Sequence, residues 1–284
     1  MIELAQFPKT LTLGYSPCPN DTFIFYALVH QKIDLGNLRF REMLLDVETL
    51  NQKALHSELD ITKVSFHAYA HLRDRYVLLR SGGALGRGCG PLVVAKGNIK
   101  MEDLKGKRIA IPGKLTTAYL LLQLYEPLLA KDVVVMPFDR IMDAVETGIV
   151  DAGLIIHESR FTYPGYGLSE VLDLGRWWED KTGLPIPLGC IIAEKSLGPS
   201  LINTIETLVR RSVEYGFAHR DETTEYIKAH AQELADIVIE QHINLYVNNY
   251  SLDLGNDGLR AVNELLKRAE QQGILREDDN AIIR

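Results

Sequence analysis

The stretch Asp151-Ala-Gly-Leu-Ile-Ile-His-Glu-Ser-Arg-Phe161 contains a short apolar run, residues 152–156, that ends at a histidine and a glutamate. The run is rich in branched residues and closed by polar ones, which is typical of a strand buried on both faces of a parallel sheet. This pattern predicts that His157 and Glu158 lie at the carboxyl end of a central strand. Ligands of open α/β sheets bind at that end. His157 is therefore a candidate catalytic residue, and a purely structural histidine is the alternative.

Composition and charge limit the classes of protein and partner. The 284 residues are 46% hydrophobic and 24% charged, which is ordinary globular usage and allows one large or two modest domains. The 31 Lys and Arg residues against 38 Asp and Glu give a net charge of -7 without a long basic cluster. Nucleic acid is therefore not an expected partner. Because there is no basic segment leading into an apolar N-terminal segment, and no run near the ~18 apolar residues of a membrane helix, we expect a cytoplasmic protein without a membrane partner.

The sequence contains no pattern typical of a metal or nucleotide site. Cys18, Cys89 and Cys190 are odd in number and lack metal-ligand spacing, so reduced thiols are expected rather than disulfides. His67 and His71 have the spacing of two metal ligands on a helix, but no third ligand is near in sequence. The glycine-rich residues 86–90 lack the third glycine and the following helix of a dinucleotide-binding fingerprint. We predict no metal.

Two parts of the chain share one order of elements. The first part reads as a strand (11–15), a turn (16–22) before an apolar segment (23–28), a strand (38–45), a helix (47–59) capped by Asp46, and a strand (60–64) that ends at Ser65. The second part reads as a strand (108–112), a loop (113–117), a helix (118–129), a strand (133–136), a helix capped by Asp139 that runs to about 147, and the strand that ends at His157. This indicates a weak internal duplication of architecture.

The duplication predicts an α/β fold with two lobes. Segments 90–95 and 188–193 are expected to cross between them, and the remainder is predicted as helices (201–219, 223–230, 233–247 and 258–272). We therefore predict a type II periplasmic-binding-protein-like fold with its ligand between the lobes and closure by hinge bending. The large lobe would comprise 1–96 plus 188–284, and the small lobe 97–187. A single doubly wound sheet is the alternative.

Two loops of the predicted cleft offer hydrogen-bond donors. Residues 113–117 place hydroxyls and unpaired backbone N–H groups at a helix start, which suits a carboxylate or phosphate. The same holds for the turn at 20–22. For Thr116 and Thr117, simple helix capping is an equal alternative.

Five segments together resemble the 1,4-dihydroxy-6-naphthoate synthase family of the futalosine route to menaquinone: Ser16-Pro-Cys-Pro-Asn-Asp-Thr-Phe-Ile-Phe25, Lys63-Val-Ser65, Gly86-Arg-Gly-Cys-Gly-Pro91, Thr116-Thr-Ala118 and Ile155-Ile-His-Glu158. The similarity extends from about residue 11 to the C-terminal helices. It implies the same two-lobed fold. It also implies a carbon-carbon lyase that converts cyclic dehypoxanthine futalosine to 1,4-dihydroxy-6-naphthoate and dihydroxyacetone without a metal or organic cofactor.

The resemblance also implies roles for individual residues. It implies that His157 is the catalytic base. It also implies that the residues that bind the substrate are Lys63, Val64, Ser65, Thr117 and Ala118. We expect Asn20, Asp21, Arg87, Thr116 and Glu158 to face the pocket without an assigned role. The aromatic carboxylate of the substrate is expected at the Thr117 helix start and Ser65. Since neighbouring residues at a strand end usually point apart, Glu158 is not expected to orient His157.

Two other functions fit the same pattern. A cytosolic solute-binding protein or ligand sensor would share the fold and carry out no chemistry. A sibling enzyme that dehydrates chorismate would share both the fold and the pathway, although the Ile155-Ile-His-Glu158 segment favours the synthase. The sequence gives no prediction of oligomeric state.

Overall fold

A computed structural model describes residues 8–232 and 235–276. The strands are β1 (Lys9–Tyr15), β2 (Leu38–Leu44), β3 (Ile61–Ser65), β4 (Tyr76–Leu78), β5 (Ala84–Gly86), β6 (Leu92–Lys96), β7 (Ile109–Ile111), β8 (Val133–Val135), β9 (Ala152–Ile155), β10 (Leu168–Asp173) and β11 (Ile186–Glu194). The helices are α1 (Pro19–Val29), α2 (Val47–Leu55), α3 (Phe66–Ala70), α4 (Thr117–Tyr125), α5 (Ile141–Glu146), α6 (Ser159–Thr162), α7 (Leu174–Thr182), α8 (Pro199–Ala218), α9 (Arg220–His230), α10 (Asp236–Tyr246), α11 (Asn249–Leu252) and α12 (Gly255–Gln271).

The strands form two sheets that repeat one order. The first sheet runs β2-β1-β3-β11-β4, with β5 also paired to β11, and the second runs β10-β6-β9-β7-β8. Strand β1 is parallel to β2 and β3, and β7 is likewise parallel to β8 and β9. An antiparallel strand follows in each sheet, β11 beside β3 and β6 beside β9. The order β2-β1-β3-β11 therefore recurs as β8-β7-β9-β6. The two-lobed fold is confirmed, and the single doubly wound sheet is wrong.

The expectation that β9 belongs to a purely parallel sheet is wrong in part. Strand β9 is parallel to β7 on one side and antiparallel to β6 on the other. All four of its residues are nevertheless buried. Its continuous apolar run reflects cover on both faces of the strand, which does not require that both neighbours be parallel.

Two chain segments pass between the sheets. Strand β6 already belongs to the second sheet, so the first crossing is complete at Leu92, whereas β11 returns to the first sheet. The predicted lobe boundaries at 96/97 and 187/188 stay a prediction. Just before β6, the backbone of Gly90 lies against Gly175, and a Cβ on Gly90 would be 2.2 Å from the Gly175 Cα. Glycine at position 90 thus permits α7 to pack on the crossing segment.

Several differences from the predicted elements lie at helix starts. Helix α1 begins at Pro19, inside the predicted turn, because proline fits the first helical position, where no N–H partner is needed. Asp46 caps α2 as predicted and accepts from Glu48 N and Thr49 N. The proposed cap Asp139 is wrong, because it lies within a 3-10 helix (Phe138–Arg140) before α5. The predicted helix 233–247 appears as α10, and its first two residues lie outside the described residues.

Buried clusters join the elements. Leu13 of β1, Phe25 of α1 and Val213 of α8 share one cluster under the first sheet. A larger cluster includes Val64 of β3 and Leu154 of β9, so the apolar core is continuous between the sheets. The three cysteines are free, as expected, and all three are buried. Among the helices in the described ranges, none combines the length and apolar character needed to cross a bilayer.

Candidate active site

A cleft of about 680 Å³, partly open to solvent, lies where β3, β9 and the starts of α1 and α4 meet. Its lining contains the predicted residues Asn20, Asp21, Lys63, Val64, Ser65, Thr116, Thr117, Ala118 and His157. Nine residues chosen from separate segments of the sequence therefore meet in one cavity.

Arg87 and Glu158 do not line this cavity. The side chain of Arg87 is largely exposed and donates to the Gly183 carbonyl at 2.9 Å, with Glu179 3.8 Å away. The expectation that Arg87 faces the pocket is therefore not met. Glu158 is buried behind the cavity wall, and only 5% of its surface is exposed.

His157 follows β9 after one intervening residue, Ile156, and has a left-handed backbone conformation, at φ +56°. This conformation is uncommon for a residue with a side chain, and histidine is among the residues that adopt it more often. The turn breaks the alternation of a strand, so the side chains of His157 and Glu158 do not point apart. Ligand atoms of Cys18, His157 and Glu158 all lie within 4.8 Å of one another. The expectation that the side chains of His157 and Glu158 point apart is therefore wrong.

The environment of His157 favours its neutral form. Burial lowers the pKa of the imidazole to about 4, while Asp21 acts to raise it and Lys63 to lower it. The ring meets Phe138 edge-on, with 5.1 Å between centroids. An imidazole that is neutral at neutral pH has a free lone pair and can accept a proton.

The start of α1 carries a buried ion pair. Lys63 Nζ lies 2.6 Å from Asp21 Oδ1, and both side chains are almost fully buried. The other oxygen of Asp21 accepts from the hydroxyl and the backbone N–H of Ser16, at 2.8 and 3.2 Å. The carboxylate is thus saturated by internal donors. The positive charge of its partner Lys63 is balanced by this carboxylate at the cleft wall.

The first turn of α4 carries no charged side chain of its own, although the Glu48 carboxyl accepts from Leu115 N at 3.2 Å in the loop just before the helix. Thr116 caps the helix by accepting from Tyr119 N at 3.2 Å, so the capping alternative holds for this side chain. The Thr117 hydroxyl donates to the Leu188 carbonyl at 2.6 Å. By the geometry of an α-helix, the backbone N–H groups of Thr117 and Ala118 have no intrahelical acceptor. They are the donors that this helix start offers to the cleft.

Asn51 orients Ser65 opposite the α4 start. The Ser65 N–H donates to Asn51 Oδ1 at 2.9 Å, and Asn51 Nδ2 donates to Ser65 Oγ at 3.3 Å. Since Oγ accepts from Asn51, the Ser65 hydroxyl proton remains available to a ligand. Sequence reasoning missed Asn51, whose position in α2 carries no local motif.

His242 is a second residue beside the cleft that sequence reasoning missed. Its side chain is fully buried, and Nε2 lies 2.9 Å from Asn20 Oδ1. Burial lowers the pKa of this imidazole well below its usual value, and the neighbouring His157 lowers it further. The available signal was weak: His242 precedes the cleft-lining Tyr246 by one helical turn in α10.

One group of side chains has the composition of a metal site. Cys18, His157 and Glu158 offer a thiol, an imidazole and a carboxyl within 4.8 Å of one another. Burial, followed by the charge of Glu158, raises the pKa of the Cys18 thiol well above its usual value. A metal ion would therefore have to displace a firmly held proton to bind this sulfur.

The chain is similar to proteins of menaquinone biosynthesis. A family model described as "Menaquinone biosynthesis" matches residues 11–271. The 1,4-dihydroxy-6-naphthoate synthase of Thermus thermophilus is 56% identical over 94% of this chain and 96% of its own length. The synthase of that name from Streptomyces coelicolor is 46% identical over 94% of this chain and 95% of its own.

Solved structures share the fold. Protein AF1704 from Archaeoglobus fulgidus has a TM-score of 0.88 and 39% identity, covering 94% of this chain and 98% of that one. The Candida albicans CA3427 product, described as having the generic periplasmic binding protein fold, has a TM-score of 0.71 over 96% and 93% of the two chains. Its 17% identity supports similarity of fold alone.

Proposed function

The chain belongs to the menaquinone biosynthesis family and is an enzyme of the 1,4-dihydroxy-6-naphthoate synthase type; from this premise we propose how its cleft performs the reaction. The substrate is cyclic dehypoxanthine futalosine, an aromatic carboxylate. The products are 1,4-dihydroxy-6-naphthoate and dihydroxyacetone. The reaction is a carbon-carbon cleavage in which proton transfers by side chains suffice, without a metal or organic cofactor, and we assign it to the cytoplasm.

His157 is the general base of this proposal, and its placement is the observation that carries it. A neutral imidazole lines the cleft at the end of a buried central strand. Breaking the carbon-carbon bond beside a forming aromatic ring requires that a proton leave carbon or hydroxyl. A positioned base typically contributes about 10² to 10⁴-fold to the rate of such a step.

The neutral donors opposite His157 hold the substrate carboxylate. Ser65, Thr117 and Ala118 line the same cavity, and the donors we assign to the carboxylate are the Ser65 hydroxyl and the backbone N–H groups of the other two residues. The positive end of the α4 dipole adds to their attraction for an anion. Lys63 is less suited to this task, because its ammonium already pairs with Asp21 at 2.6 Å.

The decisive experiment is incubation of the purified protein with cyclic dehypoxanthine futalosine, followed by chromatographic detection of the naphthoate and of dihydroxyacetone in equal amounts. The His157→Asn variant and the exposed-residue control His56→Asn are assayed in parallel. We expect product from the parent and from His56→Asn. Binding of the cyclic futalosine without product would indicate a solute-binding protein, and consumption of chorismate instead would indicate the dehydrating sibling enzyme.

A further inference from the structure

A line of buried polar groups joins the first sheet to the turn that carries His157. Asp21 Oδ1 accepts from Lys63 Nζ and from Asn20 Nδ2, at 2.6 and 2.8 Å. Asn20 Oδ1 lies 2.9 Å from His242 Nε2. On its other side, the His242 ring has Nδ1 3.7 Å from Glu158 Oε2. The line therefore ends at the residue next to the catalytic base.

The tautomer of His242 follows from this line. Asp21 is paired with a lysine ammonium, so its carboxylate accepts hydrogen bonds only. The group of Asn20 that faces it must be the NH₂, which directs the Asn20 carbonyl oxygen to His242. Because that oxygen can only accept, Nε2 of His242 must carry the proton. In a neutral ring Nδ1 is then a bare acceptor that faces the Glu158 carboxyl.

Two acceptors that face each other in a buried site require a proton between them. We propose that His242 is a positioning residue, and this proposal rests on the proposed function. Its Nδ1 accepts a hydrogen bond from a protonated Glu158 carboxyl. This hydrogen bond holds the catalytic turn 157–158 in place. The separation of 3.7 Å is longer than a hydrogen bond. To form this hydrogen bond, Nδ1 and Oε2 must approach each other by at least about 0.5 Å.

The geometry of the turn explains why it needs such a support. His157 has φ +56°, a conformation that surrounding contacts must maintain. The His242 ring lies nearly parallel to the His157 ring, with 6.3 Å between centroids and 16° between planes. His242 belongs to α10, which packs on α1 and β5 at the first sheet, whereas the turn ends β9 of the second. His242 thus couples the position of the base to the contact between the two sheets.

The protonation state is tested by replacing Glu158 with Gln or with Ala. Glutamine imitates a protonated carboxyl because its NH₂ can donate to Nδ1. We expect Glu158→Gln to keep kcat within several-fold of the parent, and Glu158→Ala to lower kcat by about 100-fold, the usual loss for a misplaced catalytic group. The Michaelis constant should change little in either variant. If Glu158→Gln is as slow as Glu158→Ala, Glu158 acts as an ionised carboxylate and the proposal is wrong.

Two substitutions at His242 separate the two sides of its ring. His242→Asn keeps an acceptor oxygen near Nδ1, and His242→Gln keeps a donor near Nε2 for Asn20. The proposal predicts a higher kcat for the asparagine variant, whereas a merely structural histidine predicts that the variant with the better thermal stability is also the more active. Melting temperatures of both variants provide that comparison.

A measurement on the parent alone needs neither activity nor folded variants. In a long-range ¹⁵N–¹H spectrum of histidine-labelled protein, His242 should be the neutral tautomer with Nε2 protonated and Nδ1 accepting. A proton fixed on Nδ1, or a doubly protonated ring at neutral pH, overturns the proposal. If the parent makes no naphthoate yet shows the predicted tautomer, the proposed function has failed and the assignment of the hydrogen bond stands.

Discussion

The starts of α1 and α4 occupy matching places in the two sheets, since each helix follows the first strand of its repeat. The α1 start buries charge: Asp21 is bound by Lys63 and Ser16, and Asn20 is bound to His242. The α4 start carries no charged side chain, and Thr116 caps it. One duplicated position has thus become an internal polar scaffold and the other an open group of donors.

This difference indicates that the two helix starts contribute to the cleft in different ways. At α1 the polar side chains satisfy one another, so their effect on a ligand passes through the residues they hold, above all the turn at His157. At α4 two backbone N–H groups remain for a ligand. We therefore expect substitutions at α1 to affect stability and positioning, and those around α4 to affect binding.

The largest expected effect is on the α1 side. Asp21→Asn leaves the Lys63 ammonium buried without its partner, which should lower the free energy of unfolding by about 3 to 5 kcal/mol. Urea denaturation measures this loss. The matched control is Glu214→Gln, which removes an exposed ion pair with Arg210 and should leave stability nearly unchanged. Equal losses in the two variants would mean that α1 carries no special scaffold.

The next effect concerns His67, which joins the first sheet to the α4 start. Its Nδ1 lies 3.3 Å from the Thr116 carbonyl, and burial, followed by the charge of His71, lowers its pKa to about 4. The unfolded chain binds a proton below the ordinary pKa of about 6.5, whereas the folded one does so only near 4. The contribution of His67 to the free energy of unfolding is therefore fully present above pH 6.5, and it is lost as the pH falls toward 4.

His67→Asn should remove part of this acid sensitivity. Its amide can still donate to the Thr116 carbonyl, but it does not titrate. Between pH 7 and pH 5 the parent should lose about 2 kcal/mol more of unfolding free energy than the variant does. Denaturation at both pH values measures the difference, with the exposed His56→Asn as control. An identical acid loss in parent and His67→Asn would mean that folding does not lower the pKa of His67.

The smallest effect tests the binding side. Ser65→Ala removes a hydroxyl donor to the substrate carboxylate and should cost about 1 to 2 kcal/mol, or roughly 5- to 30-fold in the Michaelis constant. Thr117→Val should cost less, because its hydroxyl already donates to the Leu188 carbonyl. The exposed Ser200→Ala serves as control. An unchanged Michaelis constant in Ser65→Ala would place the carboxylate elsewhere, and α1 would be the first alternative.

Local sequence signals predicted the order of elements well. Residues close together in sequence were enough to predict the apolar run of β9, the cap at Asp46 and the duplicated strand order. The start of α1 at Pro19 was missed, because proline is equally suited to a turn and to a first helical position. The resemblance to a known family supplied the proposed binding residues. Spacing alone indicated only that loops converge.

What could not be predicted depends on contacts distant in sequence. The left-handed backbone of His157 has no signature in its neighbours, and it reverses the expected direction of Glu158. His242 reaches the site from 222 residues beyond Asn20. A histidine in the middle of an amphipathic helix carries no mark of its partner.

The central claim is that His157 is the base that initiates cleavage, and single-turnover conversion of cyclic dehypoxanthine futalosine by parent and His157→Asn tests it most directly. With enzyme in excess, the rate constant of the variant should be about 10² to 10⁴-fold lower than that of the parent. Substrate affinity, measured by calorimetry, should be nearly the same. The parent rate should hold as the pH is lowered and fall only as it approaches about 4, the lowered pKa of His157. A His157→Asn rate within a few-fold of the parent would contradict the account and leave His157 as a structural residue.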